Sequence, residues 1–163
     1  DIDDARATYR AIASANPGGL GRADAQDVAH APTLDLRSAM ALAAHRDSIA
    51  RQYTTDCADL FDVGLPAFTA ARSPTAAMQV TYLSFLARWP DSHIVRKLGA
   101  PTAQRVMHRA QRWLERAAHG ECLDTRPAFA AWDAQLKSAG INPGTSADLT
   151  VATAMLAGLG HGT

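Results

Sequence analysis

Apolar residues along the chain recur at steps of three and four, and no segment shows the strict alternation typical of a half-buried strand. This spacing predicts helices between capping and breaking residues. The first predicted helix covers 3–15 and ends at Asn16-Pro17-Gly18-Gly19. The second begins after Thr33 as its cap, keeps an apolar stripe as far as Leu60, and is expected to be broken by Gly64-Leu65-Pro66. The pattern therefore predicts an all-α fold.

The central helix of that fold is predicted after Ser73, which serves as a cap, with Pro74 at the first helical position and Pro90 at the end. Its apolar residues cover most of the helix circumference, which is typical of a buried helix. Further helices are predicted at 101–118, at 125–139 with Gly140 as its C-terminal stop, and at 149–157. The last of these is apolar on almost every side, so it is also expected to be buried. Together the helices predict a single compact multi-helix bundle around a buried central helix.

The length of 163 residues fits one domain over 1–163. Sixteen basic and sixteen acidic side chains cancel, so the overall charge does not indicate binding to a nucleic acid or a membrane surface. Cys57 and Cys122 lie far apart, which favours reduced thiols in a cytoplasmic protein, with a disulfide as the alternative. The segment 20–32 lacks apolar periodicity and is predicted to be a long ordered loop, a feature often linked to function.

Arg46 stands where the stripe of the second predicted helix should be apolar, and Asp47 lies beside it near the edge of the stripe. Buried charges are costly unless they are paired, so this step indicates either a structural ion pair or part of a site. We expect both side chains to face the interior and to approach the segment that holds Asp91 and Arg96.

Two polar segments flank predicted buried helices. The segment 91–99 is either a solvated connector capped by Asp91 or part of a site. In the second segment Pro143-Gly144 makes a turn, and Thr145 or Ser146 is expected to cap the helix that follows. The free N–H groups of such a helix start suit a phosphate, and the alternative is a well-capped core helix without a ligand.

Taken together, Asp91-Ser-His-Ile-Val-Arg96-Lys97-Leu-Gly99 and Asn142-Pro-Gly-Thr-Ser-Ala-Asp148-Leu resemble the triphosphoribosyl-dephospho-CoA synthase family. The segments 16–21 and 46–53 look closer to the branch found in methylotrophs and methanogens. That family carries further motifs upstream that this sequence lacks. The chain is therefore expected to be the C-terminal part of a longer enzyme, incomplete alone, that associates with the missing segment or forms a homo-oligomer.

The resemblance implies a cytoplasmic transferase that moves the triphosphoribosyl group of ATP to dephospho-CoA or a related acceptor, with Mg²⁺ and with release of adenine. No nucleic acid or membrane partner is expected. The alternative function is a non-catalytic helical nucleotide-binding module or an interaction bundle. The implied catalytic residues are Asp47, Asp91 and His93. The implied metal ligands are Asp91 and Asp148. The implied phosphate-binding residues are Arg46, Arg96, Lys97, Asn142, Gly144, Thr145 and Ser146.

Overall fold

A computed structural model describes residues 2–15 and 30–160. Every regular element in these ranges is helical, which confirms the all-α prediction. The α-helices are α1 (Ile2–Ala15), α2 (Leu36–Ala41), α3 (Ser48–Thr54), α4 (Leu65–Thr69), α5 (Pro74–Arg88), α6 (Ser92–Leu98), α7 (Ala100–Ala118), α8 (Pro127–Ser138) and α9 (Gly144–Gly160). A π-helix covers Leu60–Gly64, and a short 3-10 helix covers Leu123–Thr125.

The chain divides into two compact units, a first unit of Asp1–Cys57 and a second unit of Ala58–Thr163. The organisation of the whole chain as one domain stays a prediction. Within the first unit α2 packs against both α1 and α3. The predicted loop at 20–32 lies outside the described residues except for its last three positions, and the motif at 16–21 lies wholly outside them.

The prediction of one continuous helix from Thr33 to Leu60 is wrong. The cap of α2 is Asp35, whose Oδ1 accepts a hydrogen bond from the Ser38 N–H at 3.0 Å. A turn separates α2 from α3, and Asp56 and Cys57 then adopt positive φ angles of 53° and 61°, which a right-handed helix does not allow. Short helices in succession keep the same three-and-four spacing as one long helix, so the stripe alone does not distinguish them.

The expected break at Gly64-Leu65-Pro66 is also absent. The π-helix passes directly into α4, and Gly64 and Leu65 both keep right-handed helical backbone angles. The change from π-helix to α-helix coincides with Pro66, which has no N–H to donate to a carbonyl of the preceding turn.

The second unit is organised around α5, as predicted. Ser73 Oγ accepts from the Ala76 N–H at 3.2 Å, and α5 packs against α7 and α9. Leu83, Phe85 and Leu86 on α5 are at most 1% exposed. The largest apolar cluster combines this helix with α6, α7 and α8 through Leu83, Leu86, Ala87, Ile94, Ala103, Val106, Ala110, Trp113, Leu123, Trp132 and Leu136.

The last helix differs from its prediction, because α9 is not buried on every side. Its exposed residues include the apolar Val151, Met155 and Leu159, which are 53%, 66% and 73% exposed. Its buried residues include Thr145, Thr150 and Thr153, and the last two bond back along the helix. Thr150 Oγ1 donates to the Ser146 carbonyl at 2.7 Å, and Thr153 Oγ1 donates to the Leu149 carbonyl at 2.8 Å. These bonds satisfy the hydroxyls inside the core, so the threonines can be buried. None of the helices described is both long and apolar enough to cross a bilayer.

Gly64 allows the π-helix to approach α5 and α9 closely. A Cβ added to Gly64 would overlap Thr153 Oγ1 and would lie 2.9 Å from Phe85 Cζ. Thr153 and Phe85 are both buried, and the Thr153 hydroxyl is bonded to the Leu149 carbonyl, so neither side chain has room to move. The absence of a side chain at Gly64 is therefore a packing requirement.

We predict that Gly64→Ala destabilises the protein by about 1–3 kcal/mol, because it forces an overpacked core to shift. The matched control is Gly158→Ala on α9, where an added Cβ meets no atom of the described chain within 4 Å. That variant should be neutral or more stable by up to about 1 kcal/mol, since alanine is the better helix former. Urea unfolding measures both, and equal stabilities for the two variants would contradict the packing argument.

Candidate functional site

The Asp91 carboxylate holds the starts of two helices. Asp91 Oδ1 accepts from the His93 N–H at 3.0 Å and from the Ile94 N–H at 3.2 Å, which caps α6. Asp91 Oδ2 accepts from both the N–H and the hydroxyl of Ser146 at 2.8 Å, which caps α9. The residue is only 3% exposed. A single buried carboxylate therefore fixes α6 against α9, and we call this arrangement the Asp91 clamp.

The local sequence explains how both helix starts reach Asp91. Trp89 leaves α5 in an extended conformation, so Pro90 and Asp91 turn directly into α6. At the other side Gly140 ends α8 with a φ of 65°, as its sequence predicted. The Pro143 carbonyl then accepts from the Ala147 N–H at 3.1 Å and opens α9.

Two expectations about these segments are corrected by the clamp. Thr145 and Ser146 are not the cap of α9, because they lie inside its first turn and the acceptor comes from Asp91 instead. The alternative of a solvated connector at 91–99 is wrong at its start, where Asp91, Ser92 and Ile94 are buried. The role of Asp91 as the cap of this segment is confirmed.

His93 lies against the start of α9. Its N–H contacts Thr145 Oγ1 at 3.2 Å, and its ring faces Gly144, where an added Cβ would lie 3.4 Å from Nδ1. Asn142 is next to them, with Nδ2 3.6 Å from the same Cβ position. The structure thus brings together predicted site residues that are about fifty positions apart in sequence.

The His93 ring carries a buried polar atom that lacks a protein partner. Arg96 Nη2 lies 3.3 Å from Nδ1, and because a guanidinium only donates, this contact favours the tautomer in which Nδ1 accepts and Nε2 carries the hydrogen. Nε2 is buried, and no hydrogen-bond partner for it exists among residues 2–15 and 30–160. An unsatisfied buried donor costs about 1–3 kcal/mol. Such an atom calls for an explanation, and a ligand that accepts this hydrogen bond supplies one.

Two other predicted site residues of the second unit, Lys97 and Asp148, are exposed. Lys97 is exposed near the end of α6. Asp148 is exposed and stands four residues after Gly144, so the two positions share one face of α9.

Arg46 and Asp47 belong to the first unit, and their predicted approach to Asp91 and Arg96 stays a prediction. The expectation that Arg46 faces the interior is wrong, because Arg46 is exposed in the turn between α2 and α3. Asp47 is partly buried as the cap of α3, where its Oδ1 accepts from the N–H groups of Ile49 at 2.8 Å and Ala50 at 3.1 Å.

The described ranges contain no group of three His, Cys, Asp or Glu side chains arranged to hold a metal ion. Each Asp91 oxygen already accepts two hydrogen bonds from the protein, so Asp91 does not fit the predicted role of metal ligand. Asp148 offers an exposed carboxylate, which fits a metal that takes most of its ligands from a bound polyphosphate.

A cavity of about 340 Å³ opens beside the clamp, between α5, α8 and α9, and no pattern in the sequence indicates it. Tyr82 stands in its wall. Burial raises the pKa of the Tyr82 hydroxyl, and the negative charges of Asp91 and Asp133 raise it further, so the hydroxyl stays protonated. In the sequence Tyr82 is one of several large residues on a predicted buried helix. Nothing near it in the sequence distinguishes a residue that lines a cavity from a residue of the core.

Comparison with known proteins gives one family. The model of the family described as CitG, ATP:dephospho-CoA triphosphoribosyl transferase, matches residues 1–163. No curated protein and no solved structure gives a match.

We predict that Asp91→Asn destabilises the protein by about 2–4 kcal/mol, because an amide nitrogen replaces one acceptor and leaves buried N–H groups unpaired. The control is Ser73→Ala, which removes a cap from one helix and should cost about 1 kcal/mol. Urea unfolding followed by circular dichroism compares the two. The clamp would be contradicted by an Asp91→Asn protein that is as stable as the control.

Proposed function

The chain belongs to the CitG family, and we propose that it transfers the triphosphoribosyl group of ATP to a hydroxyl of dephospho-CoA. The family match over residues 1–163 is the observation that carries this proposal. In such a transfer the bond between the ribose C1 and the adenine nitrogen breaks, and a bond between C1 and the acceptor oxygen forms. The hydroxyl proton leaves the acceptor, and adenine departs after gaining a proton.

This reaction needs a hydrogen-bond donor or acid near the reacting part of the nucleotide and positive charge near the triphosphate. His93 Nε2–H is a buried donor that the protein leaves unpaired, and we assign it the contact with the reacting substrate. Arg96 orients the ring through Nδ1 and brings a positive charge to the same position. Asp91 acts as a positioning residue, because its oxygens are fully used in the clamp.

The helix start supplies further donors for a phosphate. The N–H groups of Gly144 and Thr145 form no hydrogen bond with the described part of the chain, and N–H groups at a helix start favour anions. The Ser146 donors point to Asp91, which makes Ser146 the weakest of the proposed phosphate contacts. The negative charge of Asp91 opposes an anion here, so Arg96 and Lys97 are needed to balance the charge, with the Asn142 amide beside them.

We assign Mg²⁺ to the triphosphate, with Asp148 as the protein carboxylate that reaches it. Mg²⁺ is usually held by one or two carboxylates together with substrate phosphates. When bound, the ion would neutralise part of the triphosphate charge.

Asp47 caps α3 in the first unit, and a catalytic role for Asp47 or a phosphate contact for Arg46 is a separate hypothesis.

We predict that His93→Ala lowers kcat/KM for adenine release by about 10²–10⁴-fold, the usual range for loss of a group in proton transfer. His93→Gln keeps a donor near the Nε2 position and should recover part of the rate. His108→Ala, an exposed histidine on α7, is the matched control and should keep wild-type activity. Both His93 variants keep the backbone N–H that donates to Asp91, so they should remain folded at the assay temperature, which melting curves check. A wild-type rate of adenine release in His93→Ala would contradict the assignment of His93 to the contact with the reacting substrate.

We predict that Asp148→Asn weakens ATP binding by about tenfold when Mg²⁺ is present, because a charged ligand to the ion becomes neutral. Without Mg²⁺ the affinity should be unchanged or slightly higher, since a negative charge near the phosphates is gone. Calorimetric titration of ATP measures both conditions, with Asp62→Asn on the π-helix as an exposed control. Equal affinities of Asp148→Asn and wild type in Mg²⁺ would show that Asp148 does not serve the ion.

A further inference from the structure

The cavity between α5, α8 and α9 has the size and walls of a small-molecule site. Its volume of about 340 Å³ lies in the range of about 300–1,000 Å³ that is usual for ligand pockets. Most of its wall is apolar, and a few polar side chains interrupt it, which is the usual composition of a pocket that orients one ligand. The lining residues used below are Gln79, Tyr82, Phe129, Trp132, Asp133 and Ala147.

The walls suit a flat heteroaromatic ring. Phe129 and Trp132 lie with ring centroids 6.0 Å apart at 43°, and Tyr82 adds a third aromatic side chain from α5. Aromatic side chains offer planar faces and polarised edges to another ring. The cavity is thus better matched to a planar ligand than to a branched aliphatic one.

The polar groups in the wall suit an amino group beside a ring nitrogen. The Gln79 carboxamide supplies one donor group and one acceptor from the same side chain. Asp133 Oδ2 accepts from Lys137 Nζ at 2.6 Å, which leaves Oδ1 as a second acceptor. The amino edge of adenine presents this complementary pair, an amino donor next to an acceptor nitrogen.

The cavity adjoins the proposed site along α9. Ala147 in its wall directly follows Ser146 of the Asp91 clamp, and it stands about 4.5 Å along the helix axis from Gly144, given the rise per residue. Burial and the negative charge of Asp91 both raise the pKa of the Tyr82 hydroxyl in the cavity wall. A nucleotide with its phosphates at the helix start can therefore have its base in this cavity.

We propose that this cavity binds the adenine ring of a substrate nucleotide, with Gln79 and Asp133 contacting its amino edge. The inference rests on the proposed function for the identity of the nucleotide. ATP and dephospho-CoA both contain adenine, so the base can come from either substrate. The aromatic and polar groups that recognise it are the same in both cases.

The test fills the cavity without touching the clamp. Ala147→Phe places a ring at an exposed helix position that lines the cavity. Ala134→Phe makes the same change at an exposed position of α8 outside the cavity wall and is the matched control. Calorimetry with free adenine should show binding weakened by about tenfold or more in Ala147→Phe and unchanged in Ala134→Phe, with hypoxanthine bound about tenfold more weakly than adenine by wild type.

The outcomes separate this inference from the proposed function. If adenine binds wild type and Ala147→Phe equally, or if hypoxanthine binds as tightly as adenine, the cavity assignment is overturned, even where wild type transfers the triphosphoribosyl group. If Ala147→Phe loses adenine binding while wild type shows no transfer, the cavity assignment stands and the proposed reaction fails. In an active enzyme, adenine that competes with ATP assigns the cavity to the donor, and adenine that competes with dephospho-CoA assigns it to the acceptor.

Discussion

The arrangement of the second unit near its proposed site depends on one buried carboxylate. Asp91 follows the central helix directly and accepts from residues of both α6 and α9. The N–H groups of Ile94 and Ser146 belong to buried residues. Without the Asp91 acceptor both groups would lack a hydrogen bond, and water could not replace it, so the folded state would lose stability. The same bonds fix the distance between His93 and Gly144. Fold stability and site geometry therefore rest on the same interaction.

The inward face of α9 shows why a hydrophobic pattern misplaces this helix. Thr150 and Thr153 are buried because their hydroxyls donate to carbonyls one turn earlier, whereas Val151 and Met155 remain exposed. A threonine bonded in this way presents a methyl group to its neighbours and leaves no unpaired polar atom. The expectation that α9 is buried on almost every side therefore fails at Val151 and Met155, although the threonines are buried.

The parts of the fold that the sequence predicts correctly depend on neighbours close in the chain. The Ser73-Pro74 start and the Gly140 stop need only local backbone geometry, and both are observed. The prediction of one helix from Thr33 to Leu60 is wrong, because apolar residues can keep a spacing of three and four even when turns interrupt the helix. In the site, the family resemblance selected Asp91, His93 and Gly144, but their contact joins residues more than fifty positions apart and depends on tertiary packing. No sequence pattern predicts the cavity between α5, α8 and α9, because its lining residues come from three helices and each of them resembles an ordinary core residue in its own helix.

Charge at the clamp constrains how a nucleotide is held. Asp91 places a full negative charge where the partial positive ends of two helices meet, so the dipoles are already compensated and attract a phosphate less than a free helix start does. Positive side chains must then supply the attraction, and Arg96 is held at the site by its contact with His93. The cavity near Ala147 is mostly apolar and suits the uncharged end of the same ligand. A ligand with a charged end and a flat neutral end is therefore favoured over inorganic phosphate, which gains only the weakened helix start and Arg96.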